Sequence, residues 1–220
     1  MRELVLSNKE KYLDTLLGEE NEAQKLSRQF ADELGLGRIS ISPAEARLIQ
    51  TLVRLHGCKK FVEIGTLTGL SAQYIFEALP EGGELWTLEK DPKHAGMAQQ
   101  AFAKMNVASS KKIHVIVGDA RIELEKLAAL GPFDGVFIDG NKAAYMDYLM
   151  WSEKNLRAGG LVLADNVFLS GAVWGDATTQ KFSEKQVRVM QEVNLRLADK
   201  SLYTSSLIPT FEGLFAAIKN

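Results

Sequence analysis

Apolar residues recur at two different periods along this chain, and the change of period divides it. From Asn8 to Leu34 the spacing is helical: Tyr12 with Leu16, Leu13 with Leu17, then Leu26, Phe30 and Leu34. Gly35 and Gly37 end that run. Ser42-Pro43-Ala44-Glu45 reads as a capping box, with Pro43 at the first helical position and Glu45 reaching back to the cap. Leu48, Ile49, Leu52 and Val53 supply the buried stripe of the helix that follows.

From Lys60 onward short apolar runs alternate with helical segments. The runs are Phe61 to Ile64, Leu85 to Leu88, Ile113 to Val117, Val136 to Ile138 and Leu161 to Ala164. Continuous apolar runs of this length, separated by helices, predict strands buried on both faces of a parallel sheet. The intervening helices are predicted near Ser71 to Leu79, Pro92 to Met105, Ala120 to Leu130 and Tyr145 to Leu156. Ser183 then caps a helix with Val187, Met190, Val193 and Leu197 on one face. Two closing strands, Tyr203 to Ile208 and Leu214 to Ile218, are joined by a Pro/Gly-containing link that suits a hairpin, so the last strand should run antiparallel. Between Val167 and Phe182 no period is clear, and loops of that length in compact domains are usually functional or disordered. The expectation is one α/β domain over residues 1–220, with a helical extension over 1–40.

Composition narrows the function classes. The chain has 220 residues, with 26 Lys and Arg against 28 Asp and Glu, a formal net charge of −2. That balance gives no sign of a nucleic-acid partner. Charges scattered through the first twenty residues leave no room for a signal peptide, and no run of about eighteen apolar residues exists to span a membrane. With the single Cys58 unable to form an internal disulfide, the cytoplasm is the expected compartment.

The candidate chemistry lies at the carboxyl ends of the predicted strands, where open α/β sheets bind ligands. Phe61 to Ser71 runs from a strand through Gly65 and Gly69 into a helix. Gly65 permits a sharp turn, and Gly69 would let a ligand approach the helix start. The second strand ends in Glu89, placed to accept hydrogen bonds from ribose hydroxyls. The third ends in Gly118-Asp119-Ala120, beside which an adenine ring would fit. These features indicate an adenosine-containing cofactor without naming it. The turn lacks the G-x-G-x-x-G pattern with which backbone amides pack around a pyrophosphate, which counts against a dinucleotide. The fourth and fifth strands close on Asp139 and on Asp165-Asn166. Two carboxylates and an amide oxygen at adjacent strand ends suit a hard divalent cation, Mg²⁺ above all, with Mn²⁺ or Ca²⁺ as alternatives.

Three segments carry a family resemblance: Val62-Glu63-Ile64-Gly65-Thr66-Leu67-Thr68-Gly69-Leu70-Ser71; Ile138-Asp139-Gly140-Asn141-Lys142 with Tyr145 and Tyr148 downstream; and Gly159-Gly160-Leu161-Val162-Leu163-Ala164-Asp165-Asn166. Together they resemble the metal-dependent catechol and caffeoyl-coenzyme A O-methyltransferases and their bacterial relatives, from about Ser40 to the end. The resemblance implies a Rossmann-like class I methyltransferase fold, with a mostly parallel seven-stranded sheet and helices on both faces. It implies that Glu63, Gly65, Thr66 and Ser71 hold the methionine and ribose side of S-adenosylmethionine, Glu89 the ribose, and Ala120 the adenine. Ile41 matches a position whose backbone meets the cofactor. Asp139, Asp165 and Asn166 match the metal ligands, Asp139 also standing with the catalytic and cofactor-binding groups, and Lys142 matches the catalytic base. The implied acceptor is a small aromatic dihydroxy compound, and a homodimer is the usual assembly.

The chain departs from many bacterial relatives after the Asp-Asn pair, reading Val167-Phe168-Leu169-Ser170-Gly171 where those have a Trp. Phe168, Trp174 and Tyr148 are candidates for an aromatic acceptor pocket, with plain packing as the equal alternative. His56, His94 and His114 lack metal-ligand spacing, and no G-x-S-x-G elbow supports a hydrolase. A nicotinamide-dependent oxidoreductase and a non-catalytic adenosine-binding module are the rival readings.

Overall fold

A computed structural model describes residues 8–17, 19–106, 110–176 and 181–220. The helical run at the start is two helices, α1 (Asn8–Leu17) and α2 (Glu22–Glu33), where the apolar spacing alone predicts one. The break has a local cause. Asn21 and Gln24 form a capping box of their own, each side chain accepting the other's backbone N–H, which starts a new helix. Helix α3 (Pro43–His56) begins with the predicted Ser42/Glu45 box and ends at Gly57 in the left-handed conformation.

Strands β1 (Lys60–Ile64), β2 (Glu84–Glu89), β3 (Lys112–Val117), β4 (Phe133–Ile138) and β5 (Leu156–Ala164) alternate with helices α4 (Leu70–Ala78), α5 (Pro92–Phe102), α6 (Ala120–Leu127) and α7 (Tyr145–Asn155). Helix α8 (Glu184–Leu197) and the hairpin β6 (Tyr203–Ile208) and β7 (Leu214–Lys219) complete the chain. The seven strands form one sheet in the order β3-β2-β1-β4-β5-β7-β6, and β7 lies antiparallel between β5 and β6. This is the expected seven-stranded, mostly parallel sheet of the Rossmann-like class I type. Burial departs from expectation only at the edges. β3 is half-exposed along its length and β6 presents most of its residues to solvent, because each has one neighbour only.

Alternation along the central strands builds two cores. Val62, Ile64, Val136, Ile138 and Val162 point toward α6, α7 and α8. Phe61, Leu85, Phe137, Leu161 and Leu163 point toward α3, α4 and α5. The strand order reverses between β1 and β4, so the crevice at their carboxyl ends opens between the two helical layers. In the stretch between Val167 and Phe182, a short 3₁₀ segment spans Leu169–Trp174, interrupted by Ser170 and Gly171 at positive φ; residues 177–180 lie outside the described residues. Among the described residues no helix is long and apolar enough to cross a membrane.

Gly65 and Gly96 make a paired test of this packing. A Cβ on Gly65, whose φ is +109°, would lie 2.3 Å from the Asp139 carbonyl oxygen, whereas one on Gly96 within α5 would meet nothing within 4 Å. Gly96→Ala should raise stability by about 0.5–1 kcal/mol. Gly65→Ala should lower it by roughly 2 kcal/mol or more, since strain and overlap act together. Denaturant unfolding of both variants reads the two signs.

Candidate active site at the switch point

A cleft of about 580 Å³ occupies the carboxyl edge of the parallel strands. At the end of β1, register places Glu63 beside Thr87 of β2. Glu63 is fully buried, and its carboxylate accepts hydrogen bonds from Ser71 Oγ at 2.6 Å and from the Thr87 hydroxyl. Thr87 spends its proton there, so Thr66 must donate to Thr87 in turn. Burial pushes the Glu63 carboxyl up to about 8 despite those hydrogen bonds. The turn that follows bends at Leu67, a non-glycine residue at positive φ. Helix α2 braces it from behind: Gln73 donates to Ser27 Oγ at 2.7 Å, and Ser27 donates to the Thr68 carbonyl at 2.7 Å.

Glu89, at the end of β2, accepts the Leu67 N–H at 2.7 Å on one oxygen and the Asp91 N–H at 2.9 Å on the other. Each oxygen keeps further acceptor capacity, and Glu89 lines the cleft. Beyond β3, Asp119 caps α6 and is held by the Arg121 guanidinium, which lowers its carboxyl well below the usual range. With that side chain turned to Arg121, Ala120 borders the cleft.

The other end of the cleft carries the acids. Lys142 Nζ lies 2.7 Å from Asp139 Oδ1 and 2.6 Å from the Tyr145 hydroxyl. Asp165 is buried and accepts the Asn166 N–H at 2.7 Å. Burial and the nearby Asp139 carboxylate both raise the Asp165 carboxyl. Among the described residues no group of three or more His, Cys, Asp or Glu side chains is placed to hold a metal; this corner offers two carboxylates and the Asn166 amide.

A family model described as O-methyltransferase matches residues 15–220. The chain belongs to that O-methyltransferase family. It is a class I family of S-adenosylmethionine-dependent enzymes, and the nicotinamide reading falls with that membership. A relative named catechol O-methyltransferase, from Niastella koreensis, is 35% identical over 182 residues, covering 82% of this chain and 81% of its own. The solved O-methyltransferase TomG from Streptomyces achromogenes, involved in tomaymycin synthesis and in complex with SAM, superposes with a TM-score of 0.87 at 30% identity, covering 100% of this chain and 99% of its own. An O-methyltransferase from Bacillus cereus, in complex with SAH, gives a TM-score of 0.87 at 25% identity, covering 97% and 98%.

In this methyltransferase the expected residues fall into two sets. Ile41, Gly65, Glu89, Ala120, Asp139, Lys142, Asp165 and Asn166 line the cleft. Glu63, Thr66 and Ser71 lie beneath it, forming a polar chain under the β1 turn. Gly69 differs from its sequence expectation. A Cβ there would meet the Phe102 ring at 2.6 Å, so its small size admits α5 packing, and it is not among the residues lining the cleft. Of the three aromatic candidates only Tyr148 lines the cleft. Phe168 and Trp174 pack edge to face at 5.1 Å, and Phe168 also fills the space left by Gly213. Leu36 and Ile39, before the Ser42 capping box, and Phe211, in the β6–β7 turn, are among the lining residues that the sequence does not announce. Phe211 is 89% exposed at the cleft mouth, an unusual cost for a large aromatic, and its place in a polar turn is the signal that could have found it.

The raised Glu63 carboxyl sets a pH dependence of stability. A buried acid raised from about 4.5 to about 8 binds its proton more tightly folded than unfolded. Folding therefore weakens as pH rises between those values, by up to roughly 1.4 kcal/mol per unit. Glu63→Gln should lose that slope, so the wild type falls behind the variant as pH climbs from 5 to 8. Parallel unfolding curves across that range would show that Glu63 stays ionised.

Proposed function

We propose that this enzyme transfers the methyl group of S-adenosylmethionine to one hydroxyl of a small catechol-like or caffeoyl-type acceptor, with a divalent cation at the acid corner. The observation that carries this reading is the joint placement, in one cleft, of Glu89 and Ala120 at one end and of Asp139, Lys142, Asp165 and Asn166 at the other. The SAM and SAH complexes of the two solved relatives support the donor, and the name of the Niastella relative supports the acceptor.

The donor set fits a cation. It is all oxygen, and it crowds two acids of which one is buried, a repulsion that a positive ion would relieve. Asp139, Asp165 and Asn166 would hold Mg²⁺ or a similar hard ion, which supplies Lewis acidity toward a hydroxyl that otherwise titrates near pH ~10. Lys142 takes the acceptor's proton; the hydroxyl oxygen then forms its bond to the methyl carbon as the carbon–sulfur bond breaks. Glu89 holds the ribose, Ala120 borders the adenine, and the backbone at Ile41 closes over the donor. The protein's own contribution is chiefly alignment of donor and acceptor.

S-Adenosylhomocysteine formation with a panel of catechols and caffeoyl-type thioesters tests the reading. Turnover should need Mg²⁺ and fall at least about tenfold in EDTA, returning when Mg²⁺ is restored. Donor binding without transfer to any panel member would remove the catechol-like acceptor. Lys142→Ala should lower kcat by roughly 10²–10⁴ while leaving S-adenosylhomocysteine affinity unchanged. Phe211→Ala should raise the acceptor KM about tenfold and spare the donor KM, because its exposed ring stands ready to cover an aromatic acceptor.

A further inference from the structure

Tyr145 opens α7 beneath the acid corner, and its side chain is wholly buried. Its hydroxyl lies 3.0 Å from the carbonyl oxygen of Asp165 and 3.2 Å from that of Ile138. A phenol has one proton, and with two carbonyl acceptors in reach that proton is committed to them. The oxygen therefore meets Lys142 only as an acceptor, at 2.6 Å.

Lys142 Nζ is tetrahedral. One position is the bond to Cε, a second donates to Asp139 Oδ1 and a third donates to Tyr145. Among the described residues one position is left without a partner, and Lys142 borders the cleft. In the ammonium form that position is an N–H, and in the amine form it is the lone pair; the direction is the same in either form. We propose that Tyr145 is a positioning residue, which with Asp139 fixes the one free position of the Lys142 nitrogen toward the acceptor. The same hydroxyl ties together the strand ends that present Asp139 and Asp165, by binding the carbonyls of Ile138 and Asp165. Asp139 alone would leave the nitrogen free to turn about the Cδ–Cε bond, and a misdirected base loses its advantage.

This inference rests on Lys142 acting as the base, and the test separates the two. Tyr145→Phe, Lys142→Met and the double variant are compared on the best panel acceptor with Mg²⁺. The expected result is a kcat at least tenfold lower in Tyr145→Phe, with donor KM and S-adenosylhomocysteine affinity within twofold of wild type. In the Lys142→Met background the same change should cost less than twofold, because no base remains to be aimed. Equal losses in both backgrounds would mean a structural role only, and wild-type kcat in Tyr145→Phe beside a crippled Lys142→Met would overturn the inference while leaving the base in place. Full turnover in Lys142→Met would remove both. Carbon-13 relaxation of the Lys142 Cε in the otherwise unmodified protein, assigned by its absence from Lys142→Met, needs neither an acceptor nor the Phe variant. A motionally restricted Cε supports the inference; one as mobile as those of exposed lysines overturns it.

Discussion

The approach of β1 to β4 is the constraint on which the rest of the site depends. At Gly65 the chain leaves β1 against the carbonyl of Asp139, so near that a Cβ would overlap it. The backbone hydrogen bonds continue across the strand ends: the Gly65 N–H reaches Leu88, the Asp139 N–H reaches Ile64, and the Asp165 N–H reaches Ile138. The turn that faces the donor and the strand end that carries the acid are thus one bonded surface. A wider junction would separate the adenosine end of the cleft from the acid corner, and in the proposed transfer a misplacement of about 1 Å between donor and acceptor would be costly.

That junction also explains why polar groups are buried under it. The period-2 alternation of β1 sends Val62 and Ile64 into one core and Phe61 into the other, leaving Glu63 on the Phe61 face. An unpaired carboxylate there would be costly. Ser71, Thr87 and, through Thr87, Thr66 meet it, so each hydroxyl in the chain has a definite donor direction. The turn is consequently held from below by side chains that never reach the cleft, and from behind by Ser27 of α2. The helical extension is part of the site's scaffold through this contact.

How much of this was legible in the sequence depends on the range of each interaction. Strand positions and the three capping boxes at Asn21, Ser42 and Ser183 are local, yet only the latter two were read, because Asn-x-x-Gln is a weaker signal than Ser-x-x-Glu or a Ser before an amphipathic stripe. The cleft residues at strand ends were legible because a parallel sheet brings successive carboxyl ends together. What was not legible is pairing between distant segments. Gly69 was read as an opening for a ligand, and it is an opening for Phe102. For Phe168 and Trp174 the sequence leaves acceptor pocket and plain packing equally open, and the packing alternative holds, since the two rings meet edge to face. A large aromatic in a polar turn marks Phe211 as unusual, yet nothing local to it or to Ile39 announces which cleft either residue lines.

Charge at the acid corner bears on where the catalytic advantage arises. Asp139 and Asp165 face one Lys142, so the corner carries an anionic surplus whenever both acids are ionised. Such a surplus attracts cations, the sulfonium of the proposed donor among them. Methyl transfer to an oxyanion cancels that cation against an anion, so attraction to the sulfonium is strongest before the reaction and fades as charge disappears. Electrostatic attraction to the donor therefore favours binding more than it favours the transition state. The acceleration has to come from elsewhere: from making the acceptor oxygen anionic at neutral pH, and from holding it in line with the departing sulfur. In the proposed mechanism both tasks fall to groups whose directions are fixed, so there the buried hydroxyl of Tyr145 and the tight β1–β4 junction matter as much as the carboxylates they support.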